Sequence, residues 1–327
     1  MLLSTMSEIP QIGRMPIYVI TLALFILLQI PTALATNYGM LMAFRFITGF
    51  VGSPIIATGG ASVADIYNAK KRPYGITLWG VFAASAPSLG PLLGSFSSHI
   101  KGWRWTMWES MWLASGTFIV LFFFYPETAA NTILQRRASR LRKATGNPLI
   151  KSASEIAAAS MTFKGLANFV LVAPFVLNFQ EPIIFVFNIY IGLIYALLYI
   201  WFESFPLVFI GIYHWREQML GLAYLGLFVG TFVFLPPFFS YLYLVQEKQY
   251  NDKLELHPEN RMPIAIVGGL IVPICLFWFG WTSRASVHWI VPIIGSGLFN
   301  MAMLLLFVSF PFVLPRPSIK DSTFRFP

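Results

Sequence analysis

Eight stretches of this chain are apolar and long enough to cross a bilayer, at about 15–35, 39–64, 74–97, 105–125, 183–210, 217–245, 263–283 and 288–310. Spanning the hydrocarbon takes about 20 mostly apolar residues per helix. The runs are continuous rather than alternating, so they read as helices and not as barrel strands. Those are the two forms that satisfy their backbone in lipid. Composition points the same way: 57% of the residues are hydrophobic and only 11% charged, against roughly 25% charged in soluble domains. The expected fold class is an all-α integral membrane protein, a multi-pass helical bundle.

The net charge of +9 raises the question of nucleic acid, and its distribution answers it. The basic residues flank the apolar runs, which is the positive-inside pattern of a membrane protein. No nucleic-acid partner is expected; the bilayer is. With the loop 126–182 placed in the cytoplasm, 17 of the 22 Lys and Arg fall on that side. Lys101, Arg104, Arg216 and Arg284 fall outside, and Arg45 lies within a run. Met1 to Gly13 has no basic stretch before an apolar core, so no signal peptide is expected. The one cysteine, Cys275, excludes an internal disulfide framework and a Cys-based metal site. His99, His214, His257 and His288 lie far apart at the ends of runs, without metal-ligand spacing.

The central loop divides the chain into an N-terminal half, 1–125, and a C-terminal half, 183–310, followed by a tail, 311–327. Its segment Gln135 to Lys143 is strongly basic. That segment reads either as ordinary topology marking or as an electrostatic anchor to the inner leaflet. Residues 152–163 fit a short surface helix, and 171–182, interrupted by Pro174 and Pro182, an interfacial lead-in to the fifth run.

Polar residues inside the runs are the candidate functional positions. Arg45 is costly in lipid and should face protein or a water-filled cavity. A structural ion pair or a snorkelling side chain is the plainer account. Gly49, Gly52, Ser53, Ala57, Gly60, Ala61 and Ala64 in the same run let helices approach closely, and the run ends in Asp65. In the third run Pro87 and Pro91, beside Gly90 and Gly94, predict a bend. The bend suits a moving seam or a static kink equally well. In the fifth run Asn188, Gly192, Tyr195, Tyr199 and Glu203 share one helical face. Lipid would not tolerate that face, so it should turn inward. Its tyrosines offer apolar area, a hydroxyl and a cation-binding ring face; helix packing is the alternative. No P-loop and no nucleophile elbow occurs, so neither a nucleotide-driven pump nor an enzyme is expected, and no cofactor.

Several segments resemble the major facilitator superfamily, specifically the twelve-helix fungal drug:proton antiporters. Ser7 to Arg14 is similar to the loop between family helices two and three. Leu41 to Gly49 is similar to a motif of helix four, with Arg45 at its arginine. Ser85 to Ser95 resembles the antiporter motif of helix five, with Ala86 and Ser95 where the family usually has glycine. The stretches at 103–108, 125–128, 199–206 and 258–263 follow in family order. The resemblance covers roughly residues 7–310.

By that resemblance Gly13, Arg14 and Asp65 form a charge cluster that latches the loop to helix four, and Arg45 influences proton coupling. Gly90, Pro91 and Gly94 belong with the conformational switch. The chain then corresponds to family helices three to ten, about eight of twelve, and looks shortened at both ends. The implied activity is proton-coupled export of small lipophilic or cationic molecules across the plasma membrane. Asn188, Tyr195, Tyr199 and Glu203 would bind substrate. The shortened form is expected not to transport by itself. A non-transporting fragment, a pseudogene product or a membrane interaction partner is the rival reading.

Overall fold

The computed structural model describes residues 6–7, 9, 11–159, 172–250, 260 and 262–309. The stretches around Glu8, Pro10, Pro258, Glu259 and Arg261, most of the 152–163 segment's second half, and the tail from 310 lie outside the described residues.

The apolar runs form the helices α1 (Arg14–Ala33), α2 (Tyr38–Ile66), α3 (Arg72–Lys101) and α4 (Trp103–Phe124) in the first part of the chain. Three shorter helices follow: α5 (Ala130–Thr145), α6 (Ala153–Ala159) and α7 (Ala173–Gln180). The fifth run is α8 (Pro182–Phe205), extended by a π-helical turn over Pro206–Ile210. The sixth run comprises α9 (Glu217–Ala223), α10 (Leu225–Val233), α11 (Leu235–Leu244) and a 3-10 turn, Gln246–Gln249. Last come α12 (Met262–Thr282) and α13 (Ile290–Ser309). Among the described residues, eight helical segments are long and apolar enough to span a membrane.

The prolines act differently in different runs. Pro87 and Pro91 sit inside α3, which continues through both as one helix. The sixth run is interrupted at Phe234, just before Pro236 and Pro237, whose missing N–H groups remove two helix bonds. The flanking bonds Phe234 N to Gly230 O (3.2 Å) and Phe238 N to Phe234 O (3.2 Å) carry the turn across the break.

Two compact units form. One comprises Met1–Asn68 and Leu93–Pro182, the other Ala69–Leu92 and Ile183–Pro327. In the first unit α1 packs against both α2 and α4. Asn37 caps α2, its Oδ1 accepting from Met40 N at 2.7 Å. Arg104, at the start of α4, donates to Ala35 O at 3.0 Å and so fixes the α1–α2 turn.

The second unit is built around α13, two-thirds of whose apolar window is buried against about a tenth for α2 and α4. Trp201 stacks on Phe299 at 4.1 Å and donates its indole N–H to Ser296 Oγ at 3.0 Å. The backbones of α10 and α13 nearly touch. A Cβ on Gly230 would lie 2.6 Å from Gly297 Cα, and one on Gly297 would lie 2.9 Å from Gly226 O. Beside this contact Asn300 Nδ2 donates to Thr231 Oγ1 at 2.6 Å and to Leu227 O at 3.0 Å. Small residues allow the approach and a buried amide bridges it, the usual chemistry of helix pairs in lipid. At one end of this unit the Tyr213 hydroxyl reaches Val287 O (2.9 Å) and Arg284 O (3.1 Å). Its partial burial raises its pKa.

Candidate functional site

Polar residues gather at two places, one in each unit. The first begins with Gly13. Its φ of +84° and ψ of −177° place it where L-residues are strained. A Cβ there would also run into the Glu127 carboxylate. Glycine therefore permits that carboxylate to sit on the N-terminus of α1. Glu127 Oε1 accepts from Arg14 N at 3.0 Å, and Oε2 from Met15 N at 3.4 Å. Oε1 also accepts from Thr128 N at 3.1 Å and Ala129 N at 3.0 Å. The exposed N–H groups and dipole of a helix N-terminus favour an anion at this position.

The Arg14 side chain turns away from Glu127 to Asp65, with Nε 2.7 Å from Oδ2. The Arg14 side chain is 10% exposed and Asp65 25%, so water screens the pair only in part. Arg136 on α5 adds a longer contact to Glu127 Oε2, at 3.8 Å. Directly beneath, the Tyr18 and Ser62 hydroxyls lie 2.8 Å apart, and Tyr18 meets Tyr125 edge to face at 5.6 Å. Arg14 and Tyr18 on α1, and Ser62 and Asp65 on α2, are each one helical turn apart, while Tyr125 and Glu127 sit two residues apart in the extended chain just past α4. The cluster ties the start of α1, the end of α2 and the exit of α4 into one charged knot.

Sequence reasoning names Gly13, Arg14 and Asp65 and misses Glu127 as their partner. The available signal is Glu127 itself, an acid just past a proline at the end of an apolar run. Its distance of 113 residues from Arg14 hides the contact. Arg45 projects from α2 as an exposed side chain, with no ion pair among the described residues. In α3 a Cβ on Gly90 would meet nothing within 4 Å, while one on Gly94 would lie 3.9 Å from Thr106. These two glycines are not spacers for a tight helix contact here.

The second site is the polar face of α8. Ile194, Leu198, Trp201 and Phe205 are buried in the unit's core. At 100° per residue, the face of Asn188, Gly192, Tyr195, Tyr199 and Glu203 points roughly 120° away from them. All five are exposed; Tyr199 is 63% accessible and Tyr195 42%. The stripe does not turn into the core of its own unit. Val186, Ile189, Leu193 and Ile200 form a third face, exposed and purely apolar, roughly 100° beyond the polar one. The α8 helix therefore has a core face, an apolar outer face suited to lipid, and a polar aromatic face distinct from both. The Tyr195 ring is steadied by Phe307 of α13, with centroids 4.8 Å apart. The described residues contain no group of acids, histidines or cysteines able to hold a metal.

Comparison with known proteins places this architecture. The family model described as Major Facilitator Superfamily matches residues 3–317. The chain is 43% identical over 310 residues to "Transporter mfs1" of Schizosaccharomyces pombe, covering 94% of this chain and 58% of that protein. It is 40% identical over 307 residues to "Multidrug transporter FLR2" of Candida glabrata, covering 93% of this chain and 51% of that protein. The chain thus spans about half the length of the curated relatives it matches. Its fold is similar to the crystal structure of the human organic anion transporter MFSD10 (TETRAN), with a TM-score of 0.53 at 17% identity. That match covers 95% of this chain and 71% of the other. By the extent of the family match and the identity to its relatives, the chain belongs to the Major Facilitator Superfamily.

Proposed function

We propose that the protein is a proton-coupled secondary transporter that exports small lipophilic or cationic compounds across the plasma membrane. The observation that carries this reading is the three-faced α8 helix, with Asn188, Tyr195, Tyr199 and Glu203 on an exposed face separate from its apolar one. A spanning helix keeps such a face only where protein or a water-filled cavity meets it, because lipid penalises it. The chemistry fits the substrate class. Aromatic faces take up apolar bodies and attract cations, and Glu203 supplies a compensating negative charge. The names of relatives such as "Multidrug transporter FLR2" support the same direction.

In this reading the halves 1–125 and 183–310 alternate in exposing the substrate face. Gly13, Arg14 and Asp65 form part of the switch between states, with Gly90, Pro91 and Gly94 on α3. In this reading Arg45, on α2, influences the proton coupling. Its role is to set the potential felt by a nearby titrating group.

The test is efflux of a labelled lipophilic cation from cells that express this chain within a protein as long as its relatives, in a host stripped of its own exporters. Export that collapses on adding a protonophore is expected. Export that persists after the proton gradient is removed would reject the coupling and keep the exporter. No export above the empty-vector level, with the protein verified in the membrane, would favour a non-transporting membrane protein.

A further inference from the structure

The α5 helix is not absorbed by any transport step. It carries Arg136, Arg137, Arg140, Arg142 and Lys143 and no acid; the nearest acids along the chain are Glu127 and Glu155. Its faces are sorted. Thr132 and Ala138 are buried on one side. On the other side Ile133, Leu134 and Leu141 are 43%, 53% and 44% exposed. Arg137 and Arg140 project from that same exposed face, between and beside the three aliphatic residues at 100° per residue. Arg142 pairs with Glu155 at 2.7 Å, and Arg136, about half exposed, reaches Glu127 at 3.8 Å. The hydrogen bond from Arg142 keeps the Glu155 carboxyl below its ordinary pKa. Arg137 and Arg140 take part in no ion pair among the described residues.

We propose that this face of α5 lies on the membrane surface and binds anionic phospholipid headgroups, with Ile133, Leu134 and Leu141 in the acyl boundary and Arg137 and Arg140 on the phosphates. Proximity favours lipid over an acidic protein. The spanning helix α4 ends at Phe124 and α5 begins at Ala130. A linker that short reaches no more than roughly 20 Å even fully extended. Aliphatic residues flanked by arginines are the composition of an interfacial helix. Basic residues next to a span attract the anionic inner leaflet. That the leaflet is the inner one rests on the cytoplasmic placement of loop 126–182.

The test places a spin label at Leu141→Cys, and separately at Ser139→Cys, in a Cys275→Ala background of the whole protein. The protein is reconstituted in nanodiscs of phosphatidylcholine alone or with phosphatidylserine. Accessibility to oxygen and to a water-soluble nickel chelate is compared. With phosphatidylserine, position 141 should favour oxygen and position 139 should not. The preference should fade in high salt and in Arg137→Gln/Arg140→Gln, with about a fivefold drop in the docked-to-undocked ratio per guanidinium removed. A label at 141 equally wet in both lipids would overturn the proposal. So would one shielded from both reagents whatever the lipid, which would mean that protein covers the face. Nanodiscs present the same lipid on both sides, so this result does not depend on orientation. Impermeant labelling of position 140 in intact cells tests the orientation separately.

Discussion

Gly13 is the residue on which the charged knot turns. Its φ/ψ pair is open essentially to glycine alone, and a side chain there would strike the carboxylate that caps α1. Gly13→Ala is expected to cost about 1–3 kcal/mol in backbone strain. The Glu127 displacement comes on top of that, read as a lowered Tm of the detergent-solubilised protein. An unchanged Tm would mean that the turn refits without loss. Arg14 and Asp65 test the ion pair directly. Arg14→Asp and Asp65→Arg should each lose folded yield or transport, and the double exchange should recover part of it. Recovery should be incomplete, because a carboxylate at 14 would face the Glu127 cap at the start of α1. A well-expressed double mutant with no recovery would argue against a direct pair. Arg14 and Asp65 were legible because each stands out against an apolar run and the resemblance pairs them. Glu127 was not, because a contact over 113 residues depends on how α1 and α4 pack.

At the scale of elements, the sequence marks all eight spans to within a few residues, since each apolar run ends where charge or turn residues begin. It does not reveal the breaks at Tyr224 and Phe234 inside the sixth run, where apolar residues continue on both sides. Nor does it reveal that Gly226, Gly230 and Gly297 meet, because a small residue is a spacer only if a partner arrives opposite it. The α10–α13 seam holds two different devices, close backbone approach and the Asn300 amide. Magnitudes separate them. Overpacking typically costs about 1–3 kcal/mol, and here the obstacle is backbone, with Gly297 Cα at 2.6 Å from the added carbon. Interhelical hydrogen bonds in membranes average only about 0.6 kcal/mol. Gly230→Ala should therefore lower the unfolding midpoint more than Asn300→Leu. The reverse order would show that the amide, and not the close approach, holds the seam.

For the whole molecule, hydropathy predicts a bilayer protein but not which surfaces meet lipid. The compact units show why. Ala69–Leu92 groups with the later helices while the rest of α3 groups with the earlier ones, a partition that no local pattern encodes. The faces of α8 are partly an exception. Period alone aligns Asn188, Gly192, Tyr195, Tyr199 and Glu203, and the structure adds that the core lies elsewhere, against Ile194, Leu198, Trp201 and Phe205. Exposure by itself does not separate lipid from water, since Tyr199 and Ile200 are each 63% accessible. Chemistry separates them: an apolar face costs nothing in lipid, whereas a row with an amide, two phenols and a carboxylate does. In a Cys275→Ala background, single cysteines at 195, 199 and 203 should react with a hydrophilic thiol reagent, and cysteines at 189, 193 and 200 should not. A bound lipophilic cation should slow the reaction at 195 and 199, because it would occupy the same face. Even, low reactivity at all six positions would place the tyrosine stripe against lipid or packed protein and remove the main support for a substrate path along α8. Reactivity at 195 and 199 that no transported compound slows would leave the face wet but give it no part in binding.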